Sequence, residues 1–244
     1  VKRRIHLPSI EAGRVELSAE QSHYLRDVLR LEAGAEVEVF DDAGAVARGV
    51  LQPFDGRRVM VEVDRPRRDE QPPWRWTIAS AVPKANRADW MIEKLSELGA
   101  SAYVPLAAGR SVVVPEGQNK MQRWQRLATE AAKQSRRRGV MSIEPLSTPA
   151  QVLHDYSDRQ MWVLSTEPEA LPIPRAMERV DWDRELLLLV GPEGGWTAEE
   201  IALFNEHGLT GVKLTETILR METAAVAAAA VVACWGASGR RTSR

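Results

Sequence analysis

The sequence predicts an α/β protein in two parts: a small strand-rich β-barrel, then a larger domain with a parallel sheet covered on both faces. Three observations predict it. Up to about Asp64, apolar and polar residues alternate in short runs separated by turn residues. Beyond a charged, proline-rich stretch from Asp64 to Pro73, strand patterns alternate with helical ones. One of these, Leu186-Leu187-Leu188-Leu189-Val190, is apolar throughout, as a strand buried on both faces is.

In the first part, Ser18 to Arg30 reads as one helix opened by a Ser18…Gln21 capping box. Strands follow at Glu36–Phe40, Val46–Leu51 and Val59–Val63, with hairpin signals at Asp41–Gly44 and Asp55-Gly56. The proline-rich stretch reads as an extended linker, so domains are expected at 1–66 and 74–244. In the second, a strand at Trp76–Val82 leads to a helix over Ala88–Leu98, stopped by Gly99. Tyr103–Leu106 is a strand, and Asn119 to Arg138 a long basic helix. Strands at Met161–Ser165 and Leu186–Val190 come next, then a helix capped by Thr197 with Glu200, a last strand at Val212–Leu214 and a final helix from Glu222. The alanine-rich run Ala224 to Ala233 suits close approach of a neighbouring backbone or a second subunit, and Gly239 to Arg244 reads as a frayed tail.

Composition narrows the function. The chain has 244 residues, 44% of them hydrophobic, which suffices for a sizeable core. No apolar run is long enough to span a membrane, and the basic start lacks the apolar core of a signal peptide, so a cytoplasmic protein is expected. Cys234 is the one cysteine, and His6, His23, His154 and His207 lack ligand spacing, so no metal is expected. No serine lies in a nucleophile-elbow pattern, which points to direct group transfer. The net charge is -1, yet from Arg110 to Val140 eight basic residues face two acidic ones, Glu116 and Glu130. Such a stripe is a phosphate-facing surface or a solvated helix face.

Ligands in parallel sheets bind at the carboxyl ends of strands. Ser165-Thr166-Glu167, Gly191-Pro192-Glu193-Gly194-Gly195 and the Thr215–Arg220 loop all follow strands, so three loops can share one pocket. The glycine-rich turn lacks the Walker and dinucleotide spacings, and Glu193 would repel phosphate. A neutral or cationic ligand fits better, and S-adenosylmethionine, with its sulfonium and ammonium, is one.

Four segments carry a family resemblance: His23-Tyr24-Leu25-Arg26-Asp27-Val28-Leu29-Arg30-Leu31, Glu93-Lys94-Leu95-Ser96-Glu97-Leu98-Gly99, the 191–195 turn, and Ile218-Leu219-Arg220-Met221-Glu222-Thr223-Ala224. Arg123-Trp124 and Ala131–Arg136 add to it. Over nearly its whole length the chain resembles the RsmE family of the SPOUT class, which methylates N3 of a uridine in 16S ribosomal RNA. It departs from the family pattern at Thr215, Thr217 and Met221, where glycine, arginine and threonine are usual.

The resemblance implies a PUA-like N-terminal barrel that binds RNA and a SPOUT-type α/β domain whose C-terminal end forms a trefoil knot. It implies a homodimer, S-adenosylmethionine as cofactor, and 16S rRNA in the small ribosomal subunit as partner. Carried over, the cofactor pocket comprises Thr166, Gly191, Glu193, Gly194, Leu214, Ile218, Leu219, Arg220 and Thr223. Arg220 would stabilise the developing uridinate or clamp a phosphate. Glu193 is a candidate proton acceptor, a partner for the cationic cofactor, or a carboxylate that only holds its loop. RNA contacts are expected at Arg26, Arg30, Lys84, Arg87, Arg110, Arg136, Arg137 and Arg138. Two rival readings are a non-catalytic RNA-binding or ribosome-assembly protein of this fold, and a methyltransferase for another RNA.

Overall fold

The computed structural model describes residues 3–68, 74–113 and 118–239. Glu116, part of the expected linker (69–73) and the tail 240–244 lie outside the described residues. The chain divides into two compact units, one formed by Val1–Pro72 with Ala132–Val140, the other by Pro73–Ala131 with Met141–Arg244.

The first unit is built on strands β1 (Arg3–His6), β2 (Gly13–Glu16), β3 (Glu36–Phe40), β4 (Val46–Leu51) and β5 (Met60–Val63). They form one sheet in the order β1-β3-β4-β5-β2, with β1 and β3 parallel and the other pairs antiparallel. Period-two alternation turns Val37 and Val39, Ala47 and Leu51, and Val61 and Val63 into one core. Strands β1 and β2 were not apparent in the sequence, because four residues with two or more charges carry no periodic signal until a partner strand fixes them.

The expected helix from Ser18 is shorter and partly of another kind. Ser18 and Gln21 do form the capping box, but α1 (Ala19–His23) passes into a π-helical turn, Tyr24–Val28. The wider turn lets Leu25, Leu29 and Leu31 pack on the barrel core, while Tyr24 and Val28 remain exposed. Arg30 then takes a left-handed backbone (φ 51°) and ends the element.

The long basic helix also ends early. Helix α3 (Gln118–Gln134) stops before Arg136, Arg137 and Arg138, which sit on a turn. The cause is tertiary: Arg4 Nη1 donates to the carbonyls of Ala132 (3.1 Å) and Arg137 (3.0 Å), while its guanidinium lies 4.0 Å from the Phe40 ring centroid. Gly139 turns the chain with φ 80°, at a place where a Cβ would stand 2.8 Å from the Asp42 carbonyl.

Among the described residues the second unit has a seven-stranded sheet: β6 (Trp76–Ala81), β7 (Ala102–Leu106), β8 (Ser142–Ile143), β9 (Gln160–Leu164), β10 (Leu171–Pro172), β11 (Leu186–Val190) and β12 (Thr210–Lys213). Its order is β10-β12-β9-β11-β6-β7-β8, and every pairing is parallel. Strands β6, β7 and β11 are buried along their whole length. Helices α4 (Pro149–Asp155) and α6 (Ala198–Glu206) supply Val152, Leu153 and Phe204 to the core on one face. On the other, α7 (Met221–Gly239) packs against β6, β11, α2 (Asn86–Leu98) and α5 (Ile173–Met177). Ala225, Ala228, Ala229 and Val232 of α7 are fully buried, so the alanine run is core on this side. No described helix is long and apolar enough to cross a membrane.

Candidate active site

Because all pairings are parallel, the strands deliver their carboxyl ends to one edge, in the lateral order β12, β9, β11, β6, β7. The Thr166, 191–195 and Thr215–Arg220 loops follow β9, β11 and β12, three adjacent strands. The Ser165 N–H donates to the Val212 carbonyl at 2.8 Å, which ties the start of the loop after β9 to strand β12.

The glycine turn is shaped by what surrounds it. At Gly191 a Cβ would stand 2.9 Å from Trp196 Cε2, and that indole is itself set edge-on to Phe204, ring centroids 4.9 Å apart. Gly195 has φ 72° and its N–H closes the turn on the Pro192 carbonyl at 2.8 Å, a conformation that favours glycine. Thr197 and Glu200 form the expected capping box. Glu200 reaches further: its Oε1 accepts the Gly109 N–H at 2.8 Å, and Arg110 Nη1 donates to the Gly194 carbonyl at 2.9 Å. The loop after β7 thus clasps the turn after β11.

A second clasp comes from Arg87 at the start of α2. Its Nη1 lies 3.0 Å from Glu222 Oε1 and 3.4 Å from Glu193 Oε1. The hydrogen bond to Glu222, then charge attraction to both carboxylates, raise the guanidinium pKa. Arg87 and Arg110, expected at phosphates, are therefore engaged in holding the turn. Glu222, in the first turn of α7, was not singled out in the sequence; an acidic residue opening an otherwise alanine-rich helix was its one signal. Its side chain is 7% exposed, and its Oε2 is buried without a hydrogen-bond partner among the described residues.

The loop after β12, where the resemblance implies glycine at 215 and arginine at 217, closes on itself through threonines. The Thr215 hydroxyl donates to the Thr217 carbonyl (2.8 Å) and accepts the Thr217 N–H (3.2 Å), a hydroxyl-closed turn in place of a glycine. Met221 is buried. Leu214 and Leu219 are half-buried, Thr166 and Thr223 exposed, and Ile218 is 87% exposed. The Arg220 side chain is exposed and makes no hydrogen bond or ion pair with the described residues, so its forked donors face solvent at the head of α7. Lys84, just beyond β6, is likewise exposed and unpaired among the described residues.

Arg26, Arg30, Arg136, Arg137 and Arg138 belong to the first unit. Arg26 is held by Asp27 (2.6 Å) and by the Gly56 carbonyl (3.0 Å). The Arg26 hydrogen bonds, then the one from His23, hold the Asp27 carboxyl well below the ordinary range. Arg137 is half-buried, and desolvation lowers its pKa to about 10. No group of three or more metal-ligating side chains occurs among the described residues. A cleft of about 440 Å³ lined by Arg159, Gln160, Arg184, His207 and Thr210 opens at the opposite, amino-terminal edge. Two of its arginines are engaged, Arg159 with Thr77 and Glu185 and Arg184 with the Asp158 carbonyl.

Known proteins similar in sequence and fold identify the class of this one. The RNA methyltransferase domain family matches residues 70–233, and the RNA methyltransferase PUA domain family residues 17–63. The class is thus defined: the protein is an RNA methyltransferase. The ribosomal RNA small subunit methyltransferase E of Synechocystis is 34% identical over 221 residues, covering 89% of this chain and 72% of that protein. Its counterpart in Bacillus subtilis is 30% identical, with 88% and 87% covered. Among solved structures, a ribosomal RNA small subunit methyltransferase E from Neisseria gonorrhoeae bound to S-adenosyl methionine superposes with a TM-score of 0.83 at 26% identity, covering 95% of this chain and 97% of that one. A probable rRNA-methyltransferase from Porphyromonas gingivalis gives 0.85 at 25% identity, with 98% and 100% covered. This chain belongs to the ribosomal RNA small subunit methyltransferase E family.

Proposed function

We propose that the protein transfers a methyl group from S-adenosylmethionine to N3 of a uridine in 16S rRNA of the small ribosomal subunit. The observation that carries this reading is the carboxyl-edge site itself: an open, clasped glycine turn after β11 and, on the loop from β12 to α7, an arginine without a side-chain partner among the described residues. The residues fit the cofactor. Gly194 and Gly195 leave backbone exposed, Ile218 offers an apolar surface suited to an adenine ring, and two carboxylates against one guanidinium give a net negative site suited to a cation. When bound there, the cofactor supplies an electrophilic methyl carried by a sulfonium.

The chain's own groups do the rest. Thr166, Gly191, Gly194, Leu214, Ile218, Leu219 and Thr223 form the cradle, and the clasps from Arg87 and Arg110 fix it before ligand arrives. Arg220 directs unpaired donors at the uracil carbonyls, where negative charge grows as the N3 proton leaves. Glu193, half-exposed at 51%, is the carboxylate of the turn and accepts that proton or faces the cationic cofactor.

The first domain (1–66) and Arg26, Arg30, Arg136, Arg137, Arg138 and Lys84 grip the RNA. The catalytic domain spans 74–244. Its last two strands, β11 and β12, are inserted between earlier ones, which supports a threaded, knotted C-terminal end. The exposed Ile218 supports a homodimer, and a ribosomal substrate supports cytoplasmic residence. The test is Arg220→Ala. Cofactor affinity measured by calorimetry should hold while turnover on small subunits lacking modifications falls about 10²–10³-fold, the loss typical of one transition-state donor. Unchanged turnover removes Arg220 from the chemistry, and absence of cofactor binding by the unaltered chain removes the assignment.

A further inference from the structure

Glu222 is a carboxylate that the fold has buried and left half satisfied. Burying an ionised group without full hydrogen bonding is costly, so native sites leave such an oxygen bare where a ligand completes it. Its Oε1 meets Arg87 at 3.0 Å, and its Oε2, buried, has no hydrogen-bond partner among the described residues. The same guanidinium nitrogen of Arg87 also serves Glu193, at 3.4 Å. One cation therefore answers two anions, one of them 93% buried, and the cluster carries one uncompensated negative charge. Glu222 stands two residues after Arg220 and next to Thr223 in the chain, and the cluster includes the glycine turn through Glu193.

We infer that Glu222 reads the charge of the cofactor: its bare oxygen, in a net negative cluster with Arg87 and Glu193, is completed by the cationic donor and left unanswered by the neutral-sulfur product. This rests on the proposed function above and adds a residue and a selectivity to it. In transfer the S–CH3 bond breaks with its electron pair remaining on sulfur, an N3–CH3 bond forms, and the N3 proton leaves to a base or water. The cofactor thereby loses one positive charge, and with it the partner of the Glu222 oxygen. The cluster favours donor over product and so promotes product release. Arg87 sets the balance: it compensates one carboxylate, which keeps the site anionic by one charge rather than two.

The test is calorimetric and needs no turnover. S-adenosylmethionine, S-adenosylhomocysteine and sinefungin, which carries an ammonium near the position of the sulfonium, are titrated into the unaltered protein and into Glu222→Gln. That change keeps the shape and an acceptor for Arg87. Removing a charge-assisted interaction that only a positive charge at the sulfonium position makes predicts that S-adenosylmethionine and sinefungin both weaken about tenfold, about 1.4 kcal/mol, while S-adenosylhomocysteine, whose one ammonium is common to all three, changes little. A donor-to-product affinity ratio that is the same in both proteins overturns the inference while leaving the cofactor assignment intact. No binding of any of the three by the unaltered protein overturns both. Should Glu222→Gln not fold, the unaltered protein decides alone: sinefungin must bind more tightly than S-adenosylhomocysteine, and equal affinity overturns the inference.

Discussion

Gly191→Ala tests whether the turn after β11 is held from behind by the core. The added methyl would stand 2.9 Å from Trp196 Cε2, 3.1 Å from Nε1 and 3.2 Å from Cδ2, so it meets the fused edge of an indole and not a mobile chain end. Carbon atoms rest about 3.5–4.0 Å apart, so either the indole or the turn must move by more than half an ångström. Trp196 cannot yield easily, because it is set edge-on against Phe204 and packs on the core that includes Leu187 and Leu189. Overpacking of this kind costs about 1–3 kcal/mol. At about 2–4 °C per kcal/mol for a chain of this size, the thermal midpoint of the second unit should fall several degrees. The turn should move outward, and S-adenosylmethionine affinity should fall at least about tenfold. Gly211→Ala is the control: nothing lies within 4 Å of its Cβ position, so neither quantity should change. A Gly191→Ala protein with the midpoint and affinity of the unaltered chain would refute the argument from close approach.

Two further outcomes concern the first unit. Replacing Arg136, Arg137 and Arg138 by alanine should make the dependence of log affinity for RNA on log salt shallower by about 2, at about 0.7 for each phosphate no longer neutralised, with cofactor affinity intact. An unchanged slope rules this turn out as an RNA surface. Asp27 has a folded pKa below its unfolded value, so its hydrogen bonds with Arg26 and His23 add stability above about pH 4 that is lost as pH falls below it. Asp27→Asn should lower the thermal midpoint near pH 6 and flatten its acid limb; parallel curves for the two proteins would show that the pair contributes nothing.

How much of this was legible depends on the range over which each signal acts. The glycine turn could be read because its markers are adjacent in the chain: a fully apolar strand before it, and Thr197 with Glu200 after it. Gly99 announced the end of α2 for the same reason, a left-handed cap at φ 100°. The end of α3 was not legible, since Arg4 stops it from more than a hundred residues away by binding the carbonyls of Ala132 and Arg137. Nor was the π-helical turn, which depends on where the barrel core receives Leu25 and Leu29. Arg87 and Arg110 show the limit most clearly. As positive residues near a basic stretch they suggest phosphate contacts, and only the fold reveals that their partners are Glu193, Glu222 and Gly194.

Those partners change how the site should be understood. A loop of three glycines in five residues has many conformations in isolation, and ordering it on ligand arrival would cost affinity. Here the ordering is supplied beforehand and from three directions. Arg110 holds the Gly194 carbonyl, Glu200 ties the loop after β7 to the head of α6, and Arg87 draws Glu193 toward α2 and α7. Two of these tethers run to the loop after β7 and the third to the head of α2 beyond β6, so displacing one loop disturbs its neighbours. Backbone donors and acceptors fixed this way need no reorganisation when charge moves across them, which is the condition under which hydrogen bonds stabilise a transition state most. The same geometry explains why Arg220 can remain unpaired: the clasps are complete without it, and its guanidinium is left for the substrate.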